Sequence, residues 1–168
     1  MLTSDYRILA RPADAIAAAA DEAARLGYRP VLLGECDGEA RALGRAHAEL
    51  ALKAAKGTAL ISGGELVVRV TGGGTGGRNR EYALAAAFHL GGRADIEGLA
   101  ADTDGIDGVG PAAGAFFDGT TLSRSTHDDA EALNANDSGG FFDALGDSFV
   151  TGPTGTNVND LRIILIAP

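Results

Sequence analysis

The chain has 168 residues, 45% of them apolar and 22% charged, a usage that suits one folded domain and excludes disorder, collagen and a disulfide scaffold. Fourteen Lys and Arg against 23 Asp and Glu give a formal charge of −9, which repels phosphate polymers and anionic lipid heads. With three Tyr, six Phe and no Trp there is little for bases to stack on, so neither nucleic acid nor a membrane is expected as a partner. The lone Cys36 and the absence of a leader-like pattern in MLTSDYRILARP lead us to expect a cytoplasmic protein.

Tyr6–Ala10 is a short apolar run that reads as a strand, and Arg11-Pro12 puts a proline where the first turn of a helix tolerates it. The alanine-rich stretch Ala13–Leu26 then spaces Ile16, Ala19, Ala20 and Ala23 along one helical face, and Gly27 supplies a left-handed stop. Pro30–Leu33 reads as a buried strand, and Gly38-Glu39 opens a second helix running to Lys56-Gly57. Thr58–Ser62 and Glu65–Val70 are β-rich runs parted by Gly63-Gly64, which predicts a tight antiparallel hairpin. After the loop Thr71–Gly77 a helix is expected over Arg78–Leu90, then a strand over Ile96–Ala101. Gly114–Phe117 is a further apolar run. Asp137-Ser138 caps a short helix ending near Gly146, and Leu161–Ala167 is a last strand. Strands alternating with helices predict an α/β fold: a mixed sheet with helices packed on it and Gly-rich loops at the strand ends.

Glycine is present at roughly twice its usual share, and it clusters in loops. In Gly72-Gly73-Gly74-Thr75-Gly76-Gly77-Arg78-Asn79 successive backbone N–H groups can turn inward, and the following helix adds its positive end, which makes an anion cradle with Arg78 as a forked donor at its mouth. Gly72, Gly74 and Gly77 match the dinucleotide spacing, but the acidic residue that such folds place about 20 positions on is poorly matched by Asp95, Glu97 or Asp102. In Asp102-Thr103-Asp104-Gly105-Ile106-Asp107-Gly108 three carboxylates follow a strand. Ile106 and Ala113 stand where calcium ligands belong, so this is no EF-hand. A carboxylate holding Mg²⁺, a carboxylate taking a proton from an alcohol, and plain turn chemistry all remain open. The loop Thr151–Asp160 offers hydroxyls, amides and bare N–H groups that suit either a polar pocket or a β-turn. His47, His89, His127 and Cys36 show no zinc spacing and no nucleophile apparatus. If the three loops meet on one rim of the sheet, they form a single site.

The segments SGGELVVRV, TGGGTGGRNREYAL, ADTDGIDG and FFDALGDSFVTGPTGTNVNDLRIIL resemble the MOFRL region of the bacterial glycerate 2-kinase family, whose members are often labelled hydroxypyruvate reductases. The resemblance extends more loosely to about Tyr6. It implies that residues 1–168 are a C-terminal domain, with 1–61 a strand-helix-strand-helix part and 62–168 the MOFRL-like part, and that an N-terminal Rossmann-like domain supplying a lysine is missing. It implies transfer of the ATP γ-phosphoryl group to the 2-hydroxyl of D-glycerate, with ATP and Mg²⁺ as cofactors and glycerate as substrate. Arg78, matching the arginine of the family's GGRNQE pattern, is the candidate for stabilising the phosphoryl group in flight; Asp104 and Asp107 are candidates for metal or alcohol contact, Asp104 for the metal. Gly74, Gly76, Gly77, Asn79, Glu81, Thr154, Thr156, Asn157 and Asp160 are candidates for binding substrate or phosphate. Two departures stand out: Arg80 replaces the family's usual Gln and adds charge beside the cradle, and Val109-Gly110-Pro111 replaces a stretch that normally ends in Asp. An NAD(P)H-dependent reductase and a non-catalytic binding or oligomerising module are the alternatives; a homodimer is left open. The isolated domain is expected to be inactive.

Overall fold

The computed structural model describes residues 8–168. Its centre is a six-stranded sheet built from β1 (Arg29–Glu35), β3 (Thr58–Gly64), β5 (Ile96–Asp102), β6 (Gly114–Asp118), β7 (Ser148–Phe149) and β8 (Asp160–Ile166), in the order β1-β3-β8-β5-β6-β7. β1 and β3 pair in parallel, and every other pairing in this sheet is antiparallel. The sheet is mixed, as the alternation of elements predicts. A second, two-stranded parallel pair joins β2 (Gly38–Glu39) to β4 (Leu66–Val67).

Helices cover the sheet unequally. On one face α1 (Pro12–Arg25) lays Ile16 and Ala23 over Ala59 and Ile61 of β3 and the partly buried Leu161, Ile163 and Leu165 of β8. On the other face lie α2 (Ala40–Lys53) and α3 (Arg78–Leu90), the latter with ten of its 13 residues buried, Tyr82, Leu84 and Leu90 among them. A helix enclosed almost all round needs small residues to let its neighbours in. Ala83, Ala85, Ala86 and Ala87 provide that, and Gly44 of α2 sits where an added Cβ would lie 3.1 Å from Ala85 Cβ and 3.2 Å from Ala86 N. β3 is buried along its whole length because both faces are covered. Two short helices, α4 (Thr121–Arg124) and α5 (Asp129–Asn134), and α6 (Ser138–Leu145) complete the fold.

Several sequence expectations need correcting. Gly63-Gly64 is no hairpin turn. Both residues belong to β3, which pairs with β1 and β8, and Gly64 has φ +97° and lies so close to the Cys36 backbone that no side chain fits there. Pro30–Leu33 lies in an edge strand with Leu32 55% exposed, so it is not buried. Gly38-Glu39 forms β2 instead of opening α2, and α2 ends at Lys53. Of the strand expected over Tyr6–Ala10, Tyr6 and Arg7 lie outside the described residues, and residues 8–10 are not in a strand. The helices over Pro12–Arg25, Arg78–Leu90 and Ser138–Leu145 agree with their caps, and Gly91 and Gly146 stop the last two with φ of +60° and +76°.

Candidate functional site

Strand direction decides which loops can meet. β8 runs opposite to β3 and β5, so its first residue, Asp160, stands beside Gly64 of β3 and Asp102 of β5. α3 begins at the same rim with Arg78. Hydrogen bonds then tie the three loops together. Thr103 Oγ1 donates to Asn159 O at 2.7 Å, Thr154 N to Asp104 O at 3.0 Å, and Val109 N to Gly76 O at 3.2 Å.

The Arg78 guanidinium is at the centre of this rim. Its Nε donates to both oxygens of Asp160 at 2.9 and 3.1 Å, its Nη2 to Asp102 Oδ2 at 2.6 Å, and its Nη1 to Glu65 Oε1 at 3.0 Å. Asp160 also accepts from Asn79 Nδ2 at 2.8 Å and from Arg162 Nη2 at 2.6 Å. Arg162 in turn donates to the Gly63 carbonyl at 2.7 Å and lies over the Tyr82 ring, whose hydroxyl is 2.9 Å from His47 Nδ1. Burial opposes the charge on Arg78, but Asp160, Asp102 and Glu65 outweigh it and push its pKa up. Burial also pushes the Asp102 carboxyl up to about 6, against the hydrogen bond from the Asp104 backbone N–H and the charge of Arg78, while the Asp160 and Asp104 charges add to the rise.

That shift has a sign. An unfolded Asp102 titrates at its ordinary 3.8, so between pH 4 and 6 the folded chain binds the proton more tightly. The stability this contributes is complete below about pH 4 and is lost as the pH rises through 6. Asp102→Asn is expected to flatten the fall in the urea midpoint between pH 4 and 7; parallel pH profiles for the two proteins would contradict the shift.

Asp107, expected to touch metal or alcohol, is turned into the molecule. It is 1% exposed. Its Oδ1 accepts from Asn79 N at 2.9 Å and its Oδ2 from Arg80 N at 3.0 Å and Arg80 Nε at 3.2 Å. The positive end of α3, read as a cradle for a ligand anion, is therefore filled by an internal carboxylate. Arg80, 1% exposed, spends its Nη2 on the carbonyls of Asp107 and Val109 at 2.8 Å each. Its charge is neutralised inside the protein and does not face a ligand.

The glycine loop is likewise held from within. Asn136 Oδ1 accepts from Thr71 N at 2.7 Å and Gly72 N at 2.9 Å, Gly74 N donates to Ala135 O at 2.8 Å, and Thr75 N to Asp137 Oδ1 at 2.9 Å. Gly74, Gly76 and Gly77 press against Asp137, Ser138 and Asp107 so closely that a Cβ would collide, so close packing requires glycine there. Glu81 is buried beside Arg41 and accepts from Asn136 Nδ2 at 3.1 Å, away from the Asp104 and Thr154 turns. Burial pushes its carboxyl up, against the pull of Arg41.

The outer part of the rim is more open. Asp104 accepts from Ile106 N at 2.8 Å through one oxygen and from Asn157 Nδ2 at 3.4 Å through the other. Thr154 Oγ1 donates to Thr103 O at 2.6 Å and accepts from Thr156 N at 3.2 Å. Among the described residues no group of three or more His, Cys, Asp or Glu is arranged to hold a metal. Sequence reasoning passed over Glu65, Asn136 and Arg162, and of the three carboxylates it singled out at the end of β5 it favoured Asp104 and Asp107 over Asp102. Arg162, a charge in an otherwise apolar strand, and Asn136, a non-glycine at φ +56°, were the available signals.

With this geometry in view, three likenesses are informative. A protein of Agrobacterium vitis, provisionally named a hydroxypyruvate reductase, is 43% identical across 98% of this chain and 41% of its own length. The D-glycerate 2-kinase of Thermotoga maritima is 49% identical across 66% of this chain and 27% of its own. A crystal structure of the Thermotoga maritima glycerate kinase superposes on 97% of this chain and 42% of its own with a TM-score of 0.93 and 37% identity. The chain thus spans about two fifths of the length of the first of these relatives and of the solved structure. The stretch that builds the rim, from the start of β3 to the first residue of β8, is the part that matches a family profile, over residues 58–160. The chain belongs to the MOFRL family.

Proposed function

We propose that this chain is the C-terminal domain of a two-domain glycerate 2-kinase, moving the γ-phosphoryl group of ATP to the 2-hydroxyl of D-glycerate in the cytoplasm. The observation that carries the reading is the guanidinium of Arg78, held in one orientation by buried carboxylates at the rim where three loops meet. Phosphoryl transfer makes few covalent demands on a protein and depends on positioning and on charge placed where the transition state needs it. Arg78 supplies that charge, and Asp160, Asn79 and Arg162 fix it. Asp102, adjoining Arg78, takes over from the internal Asp107 the proposed role of accepting the alcohol proton. Thr154, Thr156 and Asn157 shape the outer wall.

Asp104 is partly exposed and has one weakly engaged oxygen, which fits a cation that keeps most of its waters and takes one or two protein carboxylates. Bound with the nucleotide, Mg²⁺ would neutralise phosphate charge. The other half of the cleft, with its lysine, is assigned to the N-terminal domain, so the chain alone is inactive. A reductase reading draws on the name of the Agrobacterium vitis relative. Against it, the N–H groups of Thr71, Gly72, Gly74 and Thr75 are already spent on residues 135–137 and cannot cradle a pyrophosphate. The test is an assay of the two-domain protein. ADP release that requires both D-glycerate and Mg²⁺ supports the kinase, whereas NADH or NADPH oxidation by hydroxypyruvate without ADP release refutes it.

A further inference from the structure

The three carboxylates around Arg78 are not equivalent. Those on Nε and Nη2 belong to side chains that are 0% and 6% exposed, Asp160 and Asp102, and each has a further hydrogen bond of its own. The one on Nη1 belongs to Glu65, whose side chain is 59% exposed. The Glu65 carboxylate has Arg78 as its sole hydrogen-bond partner among the described residues. An exposed ion pair of this kind is weak and exchanges readily. Nη1 is thus the position where an incoming anion meets the most easily displaced partner, and a carboxylate already stands there.

We propose that Glu65 is a specificity-determining residue, an internal carboxylate that occupies the ligand's place on Nη1 of Arg78 and admits phosphoryl groups while turning away simple carboxylates. Exchanging Glu65 for another singly charged carboxylate gains nothing, since the contact is the same and the newcomer must also be immobilised. A phosphoryl group has more charge and three acceptor oxygens, so it displaces Glu65. Discrimination then comes from a competing group as much as from an attractive one. On this account the phosphoryl donor, and not the carboxylate of glycerate, takes Nη1. The inference rests on the reading of Arg78 as an anion contact.

The probes are inorganic phosphate and, separately, acetate, titrated against the chain while the Arg78 Nε–Hε resonance is followed by NMR. The wild-type signal is expected to move with phosphate and not with acetate. Glu65→Gln keeps the shape and removes the charge, and it is expected to bind phosphate about fivefold more tightly and to respond to acetate as well. An unchanged thermal midpoint confirms that the variant is folded. If Glu65→Gln binds phosphate no better than wild type, or if acetate binds the wild type as well as phosphate does, the guarding role is wrong while Arg78 remains an anion contact. If phosphate moves the resonance in neither protein, both readings fail.

Discussion

Replacing Arg78 with alanine in the two-domain protein is expected to lower kcat by about a thousandfold or more, the range in which a charge supplied to a transferring phosphoryl group acts. The variant should remain folded. Asp160 keeps Arg162 and Asn79 as partners, and Asp102, already pushed toward protonation, can take up a proton in place of its lost neighbour. Lysine should not restore the rate, because one ammonium cannot meet Asp160, Asp102 and Glu65 from the three directions that the guanidinium satisfies together. Steady-state ADP release, with circular dichroism of the same samples, checks both halves of the expectation. A kcat within tenfold of wild type in a folded variant would remove Arg78 from the reaction.

The second large effect is on stability. Asp107→Ala is expected to cost about 3–5 kcal/mol, the usual penalty for removing one member of a buried ion pair. Three losses coincide: Asn79 N and Arg80 N at the start of α3 lose their acceptor, and the enclosed Arg80 charge loses its counter-ion. Urea unfolding measures it as a fall in midpoint at constant slope. Substituting Arg80 to Met in the same background should cost less than the sum of the two single changes, since removing both charges leaves neither stranded. A midpoint shift equivalent to less than about 1 kcal/mol for Asp107→Ala would show that the α3 terminus does not depend on this carboxylate.

Asp107 also shows where a sequence stops being informative. Asp-Gly in a glycine-rich stretch has the pattern of an exposed turn, and nothing nearby reveals that a helix 28 residues upstream aims its bare N–H groups at it. The same distance problem hid the Arg78–Asp160 pair, separated by 82 positions. Arg78 stood out locally as a donor at the mouth of the glycine loop and Asp160 as the end of the last loop, but nothing local joined the two. Gly63-Gly64 failed for the opposite reason. Two adjacent glycines satisfy the local rule for a hairpin, but here Gly64 accommodates the approach of the Cys36 backbone and Gly63 that of Ile16 and the Asp160 carbonyl, tertiary demands that outrank turn propensity. Where the local rules and the packing agree, as in α3 with Gly91 behind it and α6 with Gly146 behind it, boundaries were legible to the residue or nearly so.

The rim was legible as a convergence, because loops that follow strands in an α/β layer gather at one edge. Its chemistry was less so. The glycines read as an anion cradle act mainly as close-contact residues, and the charge set around Arg78 could be listed only once β8 was known to run against β3 and β5. The remaining candidates on the outer wall, Asp104, Thr154, Thr156 and Asn157, are joined by direct hydrogen bonds within and between their turns.

The most direct test is a crystal structure of the two-domain protein with a non-hydrolysable ATP analogue and D-glycerate. The account predicts a γ-phosphoryl oxygen within about 3.2 Å of Arg78 Nη1, with Glu65 displaced from it and Asp160 still on Nε. A nucleotide bound elsewhere, with Arg78 remaining on Glu65, Asp102 and Asp160, would contradict it.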